Sequence, residues 1–304
     1  MAFLKLIRYP NLGIVVLTQF LFYRFIQQVF IENDIKAVLD LPHFSLLVLT
    51  TVCIAASGYI INDIMDYQID LINKPERMVI GKAIPIEKAK QLYAIIILSG
   101  AIIALYLAWY VQNFNLFLIY PVAVFIMWYY SRSLKKKPLS GNIIIALFSA
   151  FVAGIVWFAE REGFSNLTSL QGIQMRNLFQ FYMVFAFCAS LFREVIKDIE
   201  DYKGDIDNGC KTLPIVVGID TARRITYGFG LLLLGSILYW LLSQWQELSI
   251  LLLLMTFILL VAPTLFVIWK FYQSTTKKDY HQASQIAKWV MVAGLLYLLL
   301  FLVF

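Results

Sequence analysis

The hydrophobic positions of this chain gather into nine long runs separated by shorter polar segments. Each run approaches the ~20 residues that an α-helix needs to cross a bilayer. Backbone groups in lipid must find their hydrogen bonds within the chain, so we expect these runs to be helices. The predicted spans are 11–31, 43–61, 91–110, 115–130, 141–159, 178–196, 225–242, 248–269 and 286–304. The predicted fold class is therefore all-α, a polytopic membrane bundle of nine transmembrane helices that forms a single domain over residues 1–304.

The composition agrees with a membrane protein, because 61% of the residues are hydrophobic and 14% are charged. A soluble domain carries roughly 25% charged residues. The first apolar run follows Lys5 and Arg8, as in a signal peptide, but it is too long and lacks a small-residue cleavage site. We expect it to be retained as the first membrane helix.

The basic residues indicate the orientation, since cytoplasmic loops of membrane proteins are enriched in Lys and Arg. With a cytoplasmic N-terminus and nine crossings, nearly all of the 25 basic residues fall on the cytoplasmic side. The exceptions are Lys36, Arg161 and Arg176 outside, and Arg24 within the first helix. This predicts an integral protein of the cell (inner) membrane. Topology accounts for the net charge of +6, so we expect no nucleic-acid partner, and no obligate protein partner is evident.

Cysteine and histidine give little sign of chemistry. Cys53 and Cys188 lie in apolar runs and Cys210 lies alone in a loop, which is too few and too dispersed for a disulfide framework. His43 and His281 are far apart in sequence, so a zinc or haem site has little support.

Two carboxylate clusters stand out, each directly after a membrane run. The first reads N-D-I-M-D-Y-Q-I-D and contains Asn62, Asp63, Asp66 and Asp70. The second reads D-I-E-D-Y-K-G-D and contains Asp198, Asp201 and Asp205. Both have the spacing D-x-x-D-x-x-x-D, and both follow a helix that runs from the outer side inward. This predicts a weak internal repeat of helices 1–4 and 5–8, followed by a ninth helix.

The spacing places each row of carboxylates on one side of a helix, because positions i, i+3 and i+7 share a face. Glu194 extends the second row by one turn, whereas Gly204 is a possible helix end that would leave Asp205 in a loop. Like charges packed this closely repel one another, and a divalent cation offsets that repulsion. Magnesium usually takes one or two carboxylates, several waters and substrate phosphates. Two facing rows suit a diphosphate held between Mg²⁺ ions, although a single row is often only a solvated face.

Several basic residues near the two rows are candidates for contact with diphosphate oxygens, arginine through two parallel hydrogen bonds. They are Arg77, Arg132, Lys135, Arg193, Lys197 and Lys211. The alternative for each is that it only enforces topology. That alternative carries most weight for the run containing Lys135 and least for Arg193 and Lys197, which interleave with the second row. The role of Arg24 stays open.

The paired motifs resemble the UbiA superfamily of intramembrane prenyltransferases, in which one aspartate motif follows helix 2 and another follows helix 6. The resemblance covers nearly the whole chain. The stretches N-D-I-M-D-Y-Q-I-D-L-I-N-K-P-E-R and R-E-V-I-K-D-I-E-D-Y-K-G-D look like those of the archaeal digeranylgeranylglyceryl phosphate synthases. One departure is V-I-G-K at residues 79–82, where those enzymes have a P-S-G-R-like stretch. This departure affects the acceptor more than the chemistry.

The resemblance implies a Mg²⁺-dependent transfer of a prenyl group, geranylgeranyl in these relatives, from its diphosphate to a lipophilic acceptor such as a glyceryl phosphate ether lipid. It implies catalytic roles for Asp66, Asp70, Asp198 and Asp201 on the cytoplasmic side. One magnesium would be held by Asn62, Asp66 and Asp70 with help from Asp63, and the other by Asp198, Asp201 and Asp205. The prenyl tail would lie among the helices, in contact with membrane lipid.

Two other functions remain open from the sequence. An aromatic acceptor, as in quinone biosynthesis, keeps the same chemistry, and a haem farnesyltransferase has less motif support. An ion-coupled transporter also uses intramembrane carboxylates, but transporter sites usually lie near the bilayer midplane at broken helices, not at helix ends.

Overall fold

The computed structural model describes residues 1–73 and 78–301, and in these residues the regular secondary structure is helical, as expected, apart from one isolated bridge between Ile80 and Ile84. Within those residues, nine helical segments are long and apolar enough to cross a membrane. These segments are Tyr9–Glu32, Leu41–Met65, Ile86–Tyr110, Phe114–Lys136, Ser140–Ala159, Leu170–Glu200, Ile219–Ser243, Ile250–Gln273 and Lys277–Leu300. The predicted fold class is confirmed.

The backbone divides into two compact units. The first comprises residues 1–23 and 36–135, and the second comprises residues 24–35 and 136–304. The prediction of a single domain with an internal repeat stays a prediction.

The first unit contains the helices that lead into and out of the first acidic motif. They are α1 (Ala2–Leu6), most of α2 (Tyr9–Glu32), α3 (Leu41–Met65), α4 (Tyr67–Asn73), α5 (Ile86–Tyr110) and α6 (Ile119–Arg132). Helix α3 packs against α5 and α6. Asp40 caps α3 by accepting a hydrogen bond from the His43 amide, and this bond holds the pKa of Asp40 below its usual value.

The second unit is built around one long helix. Its helices are α7 (Ser140–Ala159), α8 (Arg161–Asn166), α9 (Leu170–Glu200), α10 (Tyr202–Asp207), α11 (Leu213–Val217), α12 (Ile219–Ser243), α13 (Ile250–Thr256), α14 (Ala262–Gln273) and α15 (Lys277–Phe301). Helix α9 packs against α7, α12 and α15 and is largely buried. The second acidic motif therefore follows the best-packed element of its unit.

Several helices begin earlier than the predicted spans, α9 and α15 by the largest margin, because their first turns contain polar residues. Helix α9 begins at Leu170, where the Ser169 side chain accepts a hydrogen bond from the Gly172 amide. Helix α15 begins at Lys277. There Thr276 and Asp279 cap each other's backbone amides, a reciprocal arrangement that fixes a helix start. A search for apolar runs alone overlooks such turns.

The eighth segment is continuous but not uniformly α-helical. A π-helical stretch, Phe257–Val261, joins α13 to α14 just before Pro263. Proline has no amide hydrogen to complete the regular ladder, and a local π-type bulge is one way to accommodate it.

Large apolar side chains point away from both units, as expected in lipid. On α5, for example, Leu98 and Ile102 are 62% and 70% exposed. Some polar groups inside the second unit are paired with one another. The buried Tyr297 hydroxyl lies 3.0 Å from Trp240 Nε1 and 3.0 Å from Thr256 Oγ1. The helices thus present hydrocarbon outward, and this buried hydroxyl group has its hydrogen bonds within the protein.

Close packing in the first unit depends on Gly100, where α5 meets the Tyr120 ring. A Cβ at this position would lie 2.7 Å from Tyr120 Cε2. Tyr120 is buried, and its hydroxyl donates a hydrogen bond to the Ile97 carbonyl oxygen. The ring therefore has little freedom to move.

We predict that Gly100→Val lowers the free energy of unfolding by about 1–3 kcal/mol, the usual effect of overpacking. Thermal unfolding of the purified protein in detergent measures the change. Gly228→Val on α12 is the matched control, because no atom lies within 4 Å of its Cβ position. Equal midpoints for the two variants would contradict the packing argument.

Candidate active site

The first acidic motif lies where α3 ends. Asp66 is the C-cap of α3, with φ −86° and ψ −3°, and α4 starts at the next residue. The Asp70 amide still donates to the Asp66 carbonyl oxygen at 2.8 Å, so the chain stays helical across the break. The predicted row of Asn62, Asp66 and Asp70 therefore straddles two helices.

Asn62, Asp66 and Lys135 form a closed cluster. The Lys135 ammonium donates to Asn62 Oδ1 at 3.0 Å and to Asp66 Oδ1 at 2.5 Å. The Asn62 amide nitrogen donates to Asp66 Oδ2 at 3.0 Å. A single positive charge is thus surrounded by the oxygen atoms that the sequence assigns to a metal.

Asp63 faces a different partner, since neighbouring positions on a helix point in different directions. The Arg8 guanidinium donates to Asp63 Oδ1 at 3.0 Å, and it also lies 4.7 Å from the centre of the Tyr59 ring. Arg8 adopts a left-handed backbone conformation with φ +53° between α1 and α2. From the sequence, Arg8 was expected only to set the topology, and no local pattern predicts this contact.

The other basic candidates near the first motif differ in position. The Arg132 guanidinium lies over the Trp128 ring, 5.2 Å from its centre. Arg77 lies outside the described residues.

The turn V-I-G-K at residues 79–82 contains Gly81 at φ +87°, and a Cβ there would lie 2.7 Å from Tyr67 Cε2. Glycine is therefore required at this turn for two reasons, its backbone conformation and the ring beside it.

The second acidic motif repeats the backbone of the first. Asp201 is the C-cap of α9, with φ −91° and ψ 5°, and α10 starts at the next residue. The Asp205 amide donates to the Asp201 carbonyl oxygen at 3.0 Å. The possible helix end at Gly204 is not observed. The helix breaks at Asp201, and the chain leaves α10 only after Asp207, before Gly209 at φ +65°.

Two side chains distant in sequence donate hydrogen bonds to this motif. Asn142, at the start of α7, donates to Asp198 Oδ2 at 3.0 Å. Thr212, just before α11, donates to Asp205 Oδ2 at 3.1 Å. Both donors are buried. They hold two of the three aspartates in place, and the sequence analysis gave neither a role.

Arg193 and Lys197 both pair with Glu194, which the sequence analysis counted as an extension of the acidic row. The distances are 2.6 Å from Arg193 Nη1 and 3.0 Å from Lys197 Nζ to the Glu194 oxygens. Arg193 Nε is buried and has no acceptor among the described residues. A buried donor without an acceptor is costly, so this N–H is suited to an added anion.

Two further basic residues lie beside the motif. The Lys277 ammonium lies 3.9 Å from Asp201 Oδ1. The Lys211 side chain is exposed, and its backbone amide donates to the Lys136 carbonyl oxygen at 2.8 Å.

Within residues 1–73 and 78–301, no three Asp, Glu, His or Cys side chains gather closely enough to hold a metal by themselves. Each motif instead offers one or two carboxylates next to amide or hydroxyl groups. This donor set fits magnesium, which completes its coordination with waters and phosphate oxygens. The Lys135 ammonium at the first motif shows that these oxygens already accommodate a cation.

The chain belongs to the UbiA prenyltransferase family, whose sequence profile matches residues 35–303. This confirms the resemblance seen in the motifs and identifies the class of enzyme.

Curated relatives include digeranylgeranylglyceryl phosphate synthases. That of Sulfurisphaera tokodaii is 40% identical over 170 residues, 55% of this chain and 55% of the relative. That of Saccharolobus solfataricus is 34% identical over 190 residues, 62% of this chain and 61% of the relative. The match thus spans little more than half the length of these relatives.

Solved structures share the fold over nearly the whole chain. One, from work on digeranylgeranylglyceryl phosphate synthase in membranes, has a TM-score of 0.66 at 22% identity and covers 98% of this chain and 96% of that chain. Another is a UbiA homologue from Archaeoglobus fulgidus bound to DMAPP and Mg²⁺. Its TM-score is 0.58 at 16% identity, with 98% of this chain and 99% of that chain covered. At these identities the likeness concerns the fold alone.

The bond between Asn142 and Asp198 gives a prediction for stability. Asn142→Leu leaves a largely buried carboxylate without its donor and should lower the free energy of unfolding by about 1–3 kcal/mol. Adding Asp198→Leu should recover part of that loss, because replacing both partners by apolar groups is far less costly than removing one. Unfolding of the two single variants and the double variant in metal-free detergent solution tests this, and strictly additive losses would contradict it.

Proposed function

We propose that the protein transfers a prenyl group, geranylgeranyl, from its diphosphate to the hydroxyl group of a glyceryl phosphate ether lipid. The observation that carries this proposal is the shared conformation of the two acidic motifs. In each, the second aspartate ends a membrane-spanning helix and the third lies in the short helix that follows. A solvated loop has no reason to repeat both the spacing and the backbone break.

The proposed cofactor is Mg²⁺, held by two sets of residues. Asn62, Asp66 and Asp70 form the first set, with Asp63 assisting, and Asp198, Asp201 and Asp205 form the second. When bound, magnesium neutralises the negative charge that develops on the diphosphate as it leaves. Family membership and the donor types at each motif support this assignment.

The basic residues of the chain would bind the diphosphate oxygens. Arg193 is the best-supported candidate, because its buried Nε–H has no acceptor among the described residues. Lys135 lies beside Asp66 of the first motif, and Lys197 lies beside Glu194, one turn before the second motif. Arg132 and Lys211 are exposed at the ends of their segments, and Arg77 completes the proposed set.

In the proposed reaction the bond between prenyl C1 and the diphosphate oxygen breaks, and the electron pair leaves with the diphosphate. The acceptor oxygen bonds to C1, and its proton passes to a carboxylate among Asp66, Asp70, Asp198 and Asp201. The apolar helices would hold the prenyl tail and exclude water from the allylic cation.

We also propose that the protein lies in the cell (inner) membrane and that its active site faces the cytoplasm. The asymmetric distribution of Lys and Arg supports this orientation. In this orientation both acidic motifs follow helices that run toward the side rich in Lys and Arg. We further propose that the chain forms a single domain with an internal repeat.

Asp66→Asn and Asp198→Asn should each abolish Mg²⁺-dependent release of diphosphate from geranylgeranyl diphosphate and acceptor. Each substitution removes a negative charge from one proposed metal site. Asp207→Asn is the matched control, because this exposed carboxylate at the end of α10 lies outside the motif spacing. Diphosphate release by purified protein is the measurement, and unchanged turnover in both motif variants would exclude the mechanism.

The acceptor can be identified with labelled geranylgeranyl diphosphate and membranes that contain the protein. We expect the label to enter a glyceryl phosphate ether lipid when that lipid and an aromatic acid are offered together. Membranes with the Asp66→Asn variant provide the background. Label in the aromatic product would favour the function in quinone biosynthesis, for which the V-I-G-K departure leaves room.

A further inference from the structure

Lys135 contacts the first motif but does not belong to α3, the helix that carries the motif. It lies in a short 3₁₀ turn, Leu134–Lys136, directly after α6, whereas Asn62 and Asp66 belong to the end of α3. The Lys135 and Asp66 side chains are 15% and 24% exposed. The ammonium is therefore a largely enclosed cation brought from a neighbouring element.

The contacts of this ammonium are those that a metal ion would seek. It lies against Asn62 Oδ1 and Asp66 Oδ1, while the second Asp66 oxygen accepts from the Asn62 amide. One positive charge thus contacts both of these oxygens. A divalent cation at the same place would compete with the ammonium for the two oxygens, and the two cations would repel each other at such short range.

We propose that Lys135 is an internal counter-ion that holds the place of the metal in the metal-free protein and moves to the donor diphosphate when metal and donor bind. The inference rests on the proposed function for the identity of both ligands. In the exchange, the metal takes the Asn62 and Asp66 oxygens and the ammonium takes diphosphate oxygens. No covalent bond or proton moves. The flexible four-carbon stem of lysine permits the displacement.

This exchange makes metal binding and diphosphate binding depend on each other. Metal alone must displace an ammonium that then lacks its partner near the membrane boundary, where an unpaired charge is costly. A diphosphate gives the displaced ammonium a new partner. Such coupling is reciprocal, so each ligand strengthens the binding of the other.

A purely structural role for Lys135 leads to the opposite expectation. If the ammonium only clamps the end of α3 to the turn after α6, its removal loosens the motif. Metal affinity would then stay the same or fall.

The test measures Mn²⁺ binding to purified protein by electron paramagnetic resonance, without prenyl donor. Lys135→Met removes the competing charge, and Mn²⁺ should bind on the order of tenfold more tightly, within the usual range of coupling between sites. Lys137→Met is the matched control. It removes the same charge two residues away, from an exposed side chain, and should change the affinity by no more than about twofold because solvent screens it.

Two further variants guard against a simple folding defect. Lys135→Gln keeps a hydrogen-bond donor for Asn62 and Asp66 but has no charge, so Mn²⁺ should again bind more tightly. Lys135→Arg keeps the charge and should not bind Mn²⁺ more tightly than the natural protein. If neither Lys135→Met nor Lys135→Gln binds Mn²⁺ more tightly than Lys137→Met, the counter-ion role is wrong.

The second measurement adds methylene diphosphonate, which cannot be hydrolysed, and repeats the Mn²⁺ titration. The diphosphonate should strengthen Mn²⁺ binding by a larger factor in the natural protein than in Lys135→Met, because only the natural protein has an ammonium to relocate. Equal factors would overturn the inference. Neither titration requires turnover, so failure of the proposed prenyl transfer in the diphosphate-release assay would be recognised separately.

Discussion

A carboxylate at the edge of a membrane is stable only when it pairs with a positive charge or accepts hydrogen bonds, and both acidic motifs meet this constraint. At the first motif the partners are positive charges: Lys135 pairs with Asp66, and Arg8 pairs with Asp63. At the second motif, two of the three aspartates accept hydrogen bonds from neutral groups, Asp198 from Asn142 and Asp205 from Thr212, and the third, Asp201, lies 3.9 Å from the Lys277 ammonium. The surrounding helices are arranged so that these partners, which come from other elements, reach the ends of α3 and α9.

This difference between the motifs has chemical meaning. An ammonium or guanidinium opposes an incoming cation, whereas an amide or hydroxyl group orients a carboxylate without opposing a cation. If the proposed metal sites are right, the amide of Asn142 and the hydroxyl of Thr212 would not oppose a metal ion at the second motif, where Lys277 lies 3.9 Å from Asp201. The first motif would instead exchange the Lys135 ammonium for the metal ion, as proposed above, so that metal binding would depend on the arrival of an anion.

Much of the fold follows from the sequence because lipid imposes a simple rule: nine apolar runs of sufficient length must be helices. That rule does not predict the polar first turn of α15, although Thr276 and Asp279, three residues apart, form a capping pattern that can be recognised in the sequence. The acidic motifs were equally visible, since their spacing is local. Their partners were not, because Asn142 and Asp198 are 56 residues apart, and only the packing of α7 on α9 brings them together. Likewise, the contact between Arg8 and Asp63 requires a left-handed backbone turn at Arg8, which the pattern of hydrophobic and polar residues does not predict.

The break at Asp201 divides the second motif between two helices that differ in packing. Asp198 belongs to the long, well-packed α9, whereas Asp205 belongs to α10, a six-residue helix that buries none of its own residues. Asp198 is thus positioned by the packing of its helix, and Asp205 by side-chain contacts such as the hydrogen bond from Thr212. A substitution in the packed faces of α9 would therefore disturb the first acid of the motif, whereas a substitution in the polar segment before α11 would disturb the last.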